Sequence, residues 1–175
     1  MKKSKIAIFL LIIVLLIFGY RYYKVNHNVP LKYTMEYYEN GNYADCEGLE
    51  VKILSTEVRK TDATNKIGTE FIELVVNSEI VNTTSEVKDA NTFQESAIVI
   101  DCYSAYAGPV KLDKGDLKNI QPGEKLLVTQ VYTLEKERYE KGKESVYMYL
   151  GTKLYPNEIK EKFHEGIRYR KALKV

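Results

Sequence analysis

The chain is poor in the residues on which catalysis most often relies. It has two histidines, two cysteines and no tryptophan. A Ser–His–Asp or Cys–His set needs a histidine held beside its nucleophile by a rigid scaffold. His27 sits just beyond an N-terminal apolar run, and His164 falls close to the C-terminus. Neither lies on strand-like sequence, which argues against a hydrolytic or transfer active site. The two histidines, Cys46 and Cys102 are also too scattered for the paired spacing of a zinc site. Asp113-Lys114-Gly115-Asp116 lacks the regular alternation of acidic ligands in a calcium loop and reads as a polar turn. No catalytic residue, cofactor or metal is therefore expected, and the chain is read as a non-enzyme.

A uniform charge is missing too. The formal net charge of +2 combines three unlike segments. Residues 1–28 carry five bases and no acid, residues 29–152 carry 14 bases against 21 acids, and residues 153–175 carry seven bases against three acids. An acidic body argues against general nucleic-acid binding, which needs a basic face for the phosphates. With 45% apolar residues and no low-complexity tract, wholesale disorder is excluded as well.

What is present begins with Ile6 to Phe18, thirteen apolar residues without a break. That is short of the roughly 20 residues of a membrane span. Bases hug both ends, however, and no position within the run is polar, which argues against a buried core helix. The small-x-small site required for signal-peptide cleavage is absent after the run, where Gly19-Tyr20-Arg21-Tyr22-Tyr23-Lys24 offers bulky rings instead. No cysteine follows it either, so a lipoprotein anchor is unsupported. Lys5 and Arg21 can snorkel, and Tyr20, Tyr22 and Tyr23 suit the headgroup layer. The segment 1–24 is read as a cytoplasmic tail and uncleaved transmembrane signal-anchor. A five-residue tail is no domain, so the working part follows the span, and it is placed outside the cell on a single-pass topology.

Val25 to Ala44 is polar and Tyr-rich, with Pro30 and the turn pair Asn40-Gly41, and reads as a stalk or linker over 25–44. Beyond it, strand patterns recur. Leu49, Val51 and Ile53 alternate with polar neighbours; Phe71 to Val81 is rich in β-branched residues; Ile98, Ile100 and Cys102 alternate, as do Leu126, Val128, Tyr132 and Leu134, and then Val146, Met148 and Leu150. Gln121-Pro122-Gly123-Glu124 has Pro and Gly where a type II turn requires them. Short strands, frequent turns and no interleaved helical period predict an all-β antiparallel sandwich over 45–155. Pro156-Asn157-Glu158 predicts a short helix with Asn157 as its cap, followed by a basic tail to residue 175.

Two features carry binding or stability proposals. Outside the membrane, Cys46 and Cys102 could be bridged, which in the chain-entropy picture contributes about 4 kcal/mol; the alternative leaves Cys102 a small core residue and Cys46 a loop thiol. Fifteen tyrosines stand against no tryptophan, and Tyr103, Tyr106, Tyr147 and Tyr149 are candidates for a contact surface. Ordinary strand-face packing is the alternative for those four. Asn82-Thr83-Thr84 fits a glycosylation pattern and reads as strand-end polarity. The bases Arg168, Arg170, Lys171 and Lys174 belong to the tail.

The combination of anchor and β domain resembles small membrane-anchored domains of unknown function from Gram-positive bacteria, with a telokin-like, immunoglobulin-type β-sandwich. Cys46-Glu47-Gly48-Leu49-Glu50-Val51, Ile100-Asp101-Cys102-Tyr103, Ile120-Gln121-Pro122-Gly123-Glu124 and Tyr147-Met148-Tyr149-Leu150-Gly151 carry the resemblance. It implies an extracellular binding or adaptor role, with a protein or peptide partner and no catalytic residue. A protective, immunity-type protein intercepting a toxin or peptide at the membrane is the alternative, and an enzyme a distant third.

Overall fold

The computed structural model describes residues 2–27, 29–64 and 68–175, with the side chains of residues 2–7 and 62–64 outside the description. A single helix, α1 (Lys2–Asn26), leads into ten strands: β1 (Lys32–Tyr38), β2 (Ala44–Cys46), β3 (Leu49–Thr64), β4 (Glu70–Asn82), β5 (Ala97–Ile100), β6 (Tyr103–Tyr106), β7 (Lys111–Leu112), β8 (Lys125–Glu135), β9 (Val146–Tyr149) and β10 (Ile167–Lys174). Helix α2 (Lys136–Gly142) follows β8, and α3 (Pro156–His164) precedes β10. The strands form two five-stranded sheets, ordered β1-β10-β9-β5-β6 and β2-β3-β4-β8-β7. All pairings are antiparallel except β1 with β10, which is parallel from Lys32↔Ile167 to Tyr38↔Leu173.

Period-2 patterning builds the core. In β8, Leu126, Val128, Tyr132 and Leu134 are buried while Lys125, Leu127 and Thr133 face out. Across the gap, Ile98, Ile100, Val146, Met148 and Leu173 close the other side. Alternation of this kind lets each sheet bury one face at no cost to the polar other. Phe93 and Tyr155, both at 0% exposure, plug the space between the sheets from irregular segments. Turn chemistry fixes the register. Cys46 pairs Leu49 around Glu47 (φ 56°) and Gly48 (φ 89°), the two positive-φ residues that a tight primed hairpin demands. Gly123 (φ 74°) follows Pro122, and the Glu124 N–H donates to the Gln121 carbonyl at 2.9 Å, the turn the Pro-Gly pair predicted.

Three expectations are corrected. The segment 25–44 is no free stalk: α1 continues to Asn26 and Lys32–Tyr38 is an edge strand of the first sheet. The basic C-terminal segment is not a tail, because Ile167–Lys174 lies between β1 and β9. Both segments were masked by polar residues at inward positions, Glu36 and Lys171, which break the apolar alternation. Asn157 does not cap α3. The Glu47 carboxylate does, with Oε1 accepting the N–H groups of Asn157 (2.6 Å) and Glu158 (2.9 Å) and Oε2 accepting Asn157 Nδ2 (2.7 Å). The cap therefore comes from a hairpin 110 residues earlier, beyond the reach of a local pattern.

Asn82, fully buried at the end of β4, holds the loop behind it. Its Nδ2 donates to the carbonyls of Glu86 (2.7 Å) and Ile120 (2.9 Å), and its Oδ1 accepts from the Thr84 N–H and hydroxyl. The sequon residue is thus a structural bracket.

Candidate functional site

The outward side chains of the β1-β10-β9-β5-β6 sheet follow from register and burial. In β9, Met148 is buried and Tyr147 and Tyr149 point away from the core; in β10, Tyr169 and Leu173 are buried and Arg168 and Arg170 are exposed. Tyr37 of β1 joins the same face, its ring edge-on to Tyr147 with centroids 5.0 Å apart. Tyr33, two turns of the pleat earlier, interacts electrostatically with Arg170 and Tyr37. Tyr106 of β6, paired with Ala97, completes the face at 70% exposure. Ala172 lies in register with both Tyr37 and Tyr149 and is fully covered. Five tyrosines thus frame one sheet surface.

Its charge is one-sided. Arg168, Arg170 and Lys174 are the only charged side chains that the strands themselves place on this face, among the described residues. Lys174 reaches the rim residue Glu39 at 3.9 Å. Neither arginine pairs with a carboxylate among the described residues, whereas Arg59 and Arg138 are tied to Glu57 and Glu135. Burial raises the phenol pKa of Tyr149, and neighbouring Tyr33 and Tyr37 add to the effect, so its hydroxyl stays a neutral donor. Beside Tyr106, Tyr149 and Arg170, a shallow depression of about 340 Å³ reaches Glu95 and Thr152. Chemically, the face offers flat rings, hydroxyl donors and two uncommitted guanidinium groups, the combination enriched where proteins bind one another.

Of the four tyrosines singled out by sequence, the structure brings together three. Tyr106, Tyr147 and Tyr149 share the outer face, but Tyr103 pairs with Ile100 on the inward side, packs against the core and lies under Arg138, whose guanidinium is 5.0 Å from its ring centroid. Tyr33, Tyr37, Arg168 and Arg170 were missed as members, although Tyr33-Thr34-Met35-Glu36-Tyr37 alternates and was a usable signal.

The cysteines are free thiols in different places, not a bridge. Cys46 is buried in β2, and burial pushes its pKa up to about 12. Cys102 is exposed in the two-residue turn between β5 and β6, where Asp101 has φ 50°. The two sequence-based roles are reversed: the core thiol is Cys46 and the loop thiol Cys102. The turn at Asp101 also splits what read as one strand from Ile98 to Tyr103.

One buried ionic cluster lies between the sheets. Lys171, only 3% exposed, places Nζ 2.6 Å from Glu158 and 2.6 Å from the Asp45 carbonyl, with the Tyr155 and Tyr169 rings beside it. The Tyr169 hydroxyl donates to Glu36. Each polar group is held by a neighbour, tying β1, β2, β10 and α3 together. Among the described residues, no group of three or more His, Cys, Asp and Glu side chains is placed to hold a metal ion.

The residues expected to flank an anchor lie on α1. Tyr20 is exposed, Arg21 follows it within the same unbroken helix, and the Lys5 side chain lies outside the described residues. Ile8 to Phe18 is exposed on all sides, so none of these described side chains is buried in the sandwich. Ile8–Asn26, with mean hydropathy 1.9, is long and apolar enough to cross a bilayer, a test that a membrane anchor and a signal sequence both meet.

No family model matches the chain, and no curated protein does. The fold is similar to that of an uncharacterised β-sandwich protein from Clostridium difficile, with a TM-score of 0.51 and 13% identity over 83% of this chain and 99% of that one. A functionally unknown protein from Listeria monocytogenes is also similar, with a TM-score of 0.47 and 13% identity over 61% of this chain and 68% of that one. The first of these likenesses supports a β-sandwich and carries no function with it.

Proposed function

We propose that the chain is a membrane-anchored, non-catalytic binding module of the cell envelope, with its sandwich outside the cell. Its partner is a protein carrying an acidic patch that docks on the outer face of the β1-β10-β9-β5-β6 sheet. One observation carries this reading: among the described residues, Arg168 and Arg170 stand without carboxylate partners in a face of five tyrosines, on a body whose residues 29–152 are net acidic. An exposed ion pair gains little in water, but a guanidinium desolvated between aromatic rings binds a carboxylate bidentately and strongly. Tyrosine adds large contact area with few rotamers to freeze. The anchor reading rests on the exposed apolar helix, whose flanking bases and aromatic residues suit an uncleaved single-pass span. Confinement to the membrane raises the effective concentration of the face for neighbouring partners. The immunoglobulin-like and telokin-like character of the sandwich, and a Gram-positive setting, belong to the same proposal and rest on the sequence resemblance.

The test is capture of crosslinked partners from intact cells with the native chain and with the double variant Arg168→Glu, Arg170→Glu. Charge reversal at two central contacts should reduce capture of the specific partner about tenfold or more. Capture that is unchanged by the reversal overturns the reading.

A further inference from the structure

The junction between α1 and the sandwich carries a second interaction surface. Only residues 27–31 separate the helix end at Asn26 from β1 at Lys32. Described residues here are tied down: the His27 N–H donates to the Tyr23 carbonyl at 2.9 Å, the Val29 N–H to the Asn26 carbonyl at 3.2 Å, and the Lys32 N–H to the Gly166 carbonyl at 3.3 Å. His27, Val29 and Pro30 face Phe163, His164 and Gly166 across a depression of about 320 Å³, so the C-terminal end of α3 sits beside the helix exit. Two large apolar side chains at this end lack cover. Leu31 is 95% exposed and Phe163 48% exposed, although Ile159 one turn earlier in α3 packs on the core.

Position explains this exposure. A hydrocarbon layer about 30 Å thick takes roughly 20 residues at 1.5 Å each. Counted from Lys5, that span ends at Lys24, which leaves His27 about 5 Å beyond the boundary. The headgroup layer on each side is roughly 5–8 Å deep. Phe163 faces His27 across that depression and Leu31 follows His27 by four residues, so both lie close to this layer. The charged side chains at this end suit that place: Arg21, Lys24 and Lys32 precede or follow the exit, and Glu165 is already paired with Lys162 at 3.0 Å. We infer that the sandwich is seated on the bilayer that α1 crosses, with Leu31 and Phe163 inserted among the lipid headgroups and the α3 end facing the membrane. This rests on reading α1 as a span. Seating of this kind fixes the strands of the tyrosine face relative to the membrane and leaves Tyr106, at the far edge of its sheet, clear of lipid.

The absence of tryptophan makes the test direct. Four single-tryptophan variants of the full chain, Leu31→Trp, Phe163→Trp, Phe18→Trp and Tyr106→Trp, are reconstituted in phosphatidylcholine–phosphatidylglycerol vesicles whose acyl chains are brominated near the headgroup end. Leu31→Trp and Phe163→Trp should emit to the blue of Tyr106→Trp and lose emission to bromine, as Phe18→Trp does, while Tyr106→Trp keeps its emission. If Leu31→Trp and Phe163→Trp behave as Tyr106→Trp while Phe18→Trp is quenched, the seating is overturned and the anchor stands. If Phe18→Trp is also unquenched, the span fails and the seating with it. Exposed positions were chosen for both reporters, so neither substitution disturbs the core.

Discussion

Lys171 and Glu158 form the most buried ion pair among the described residues, 2.6 Å apart with 4% and 29% side-chain exposure. Breaking one side of such a pair leaves an uncompensated charge, and the two sides are not equivalent. Glu158→Gln strands an ammonium that water barely reaches, at about 3 kcal/mol. Lys171→Met leaves a carboxylate that water reaches in part and adds apolar volume to the core. Denaturant unfolding should find Glu158→Gln the less stable of the two, and the reverse order would show that the Asp45 carbonyl alone satisfies Lys171.

Glu47 is the second long-range support. Removing its carboxylate by Glu47→Ala frees the N–H groups of Asn157 and Glu158 at the start of α3. The loss of a helix cap costs about 1 kcal/mol. Asn157→Ala, by contrast, removes a single side-chain contact and should cost less, the opposite of what a local Asn cap predicts.

Acid stability should depend on Glu36. Burial pushes its carboxyl up, but hydrogen bonds from Tyr169 and Tyr38 outweigh this and hold it below the ordinary value. A depressed folded-state pKa contributes stability above the unfolded value, lost as pH falls through the folded one. Tyr169→Phe should therefore flatten the fall in stability below about pH 4.5, as read from thermal unfolding across an acid series. An unchanged slope would place the acid response elsewhere.

The thiols give a readout of the fold itself. Thiolate is the reactive form, and Cys46 is both buried and shifted up to about 12, while Cys102 is exposed. At pH 8 an alkylating reagent should label Cys102 at once and Cys46 only after unfolding, with mass spectrometry counting one adduct and then two. Two thiols that resist labelling until reduction would restore the bridge. For Cys46 the raised pKa acts in the alkaline direction: its contribution is intact below the ordinary thiol value and lost as pH rises towards about 12.

Strands whose inner face is mostly apolar were legible from sequence: Leu49, Val51 and Ile53 of β3, the four predicted residues of β8 and Val146 and Met148 of β9 are all buried, although Gln130 interrupts the inner face of β8. Pro122-Gly123 and Pro156 were legible because their backbone requirements are local. The β1–β10 side of the first sheet was not. β1 and β10 pair in parallel across 135 residues of sequence, from Lys32 to Ile167, and no short-range pattern reports such a partner. Lys171 and Glu36 hid the inward faces of these strands, since each is polar and takes a partner distant in sequence, Glu158 for Lys171 and Tyr169 for Glu36. Tyr33, Tyr37, Arg168 and Arg170 of the tyrosine face were lost with them. Cys102 misled in the opposite way: it continued the Ile98-Ile100 alternation, but a turn at Asp101 ends the strand first.

The central claim concerns which sheet face meets the partner, and site-specific photocrosslinking on intact cells tests it most directly. A photoreactive residue is placed at Tyr106 or Tyr149 on the tyrosine face, and at Leu127 on the outer face of the other sheet, where it is 42% exposed. The account predicts a discrete protein adduct from Tyr106 and Tyr149 that Arg170→Glu suppresses, and none from Leu127. No adduct from the tyrosine face, or the same adduct from Leu127, would contradict it.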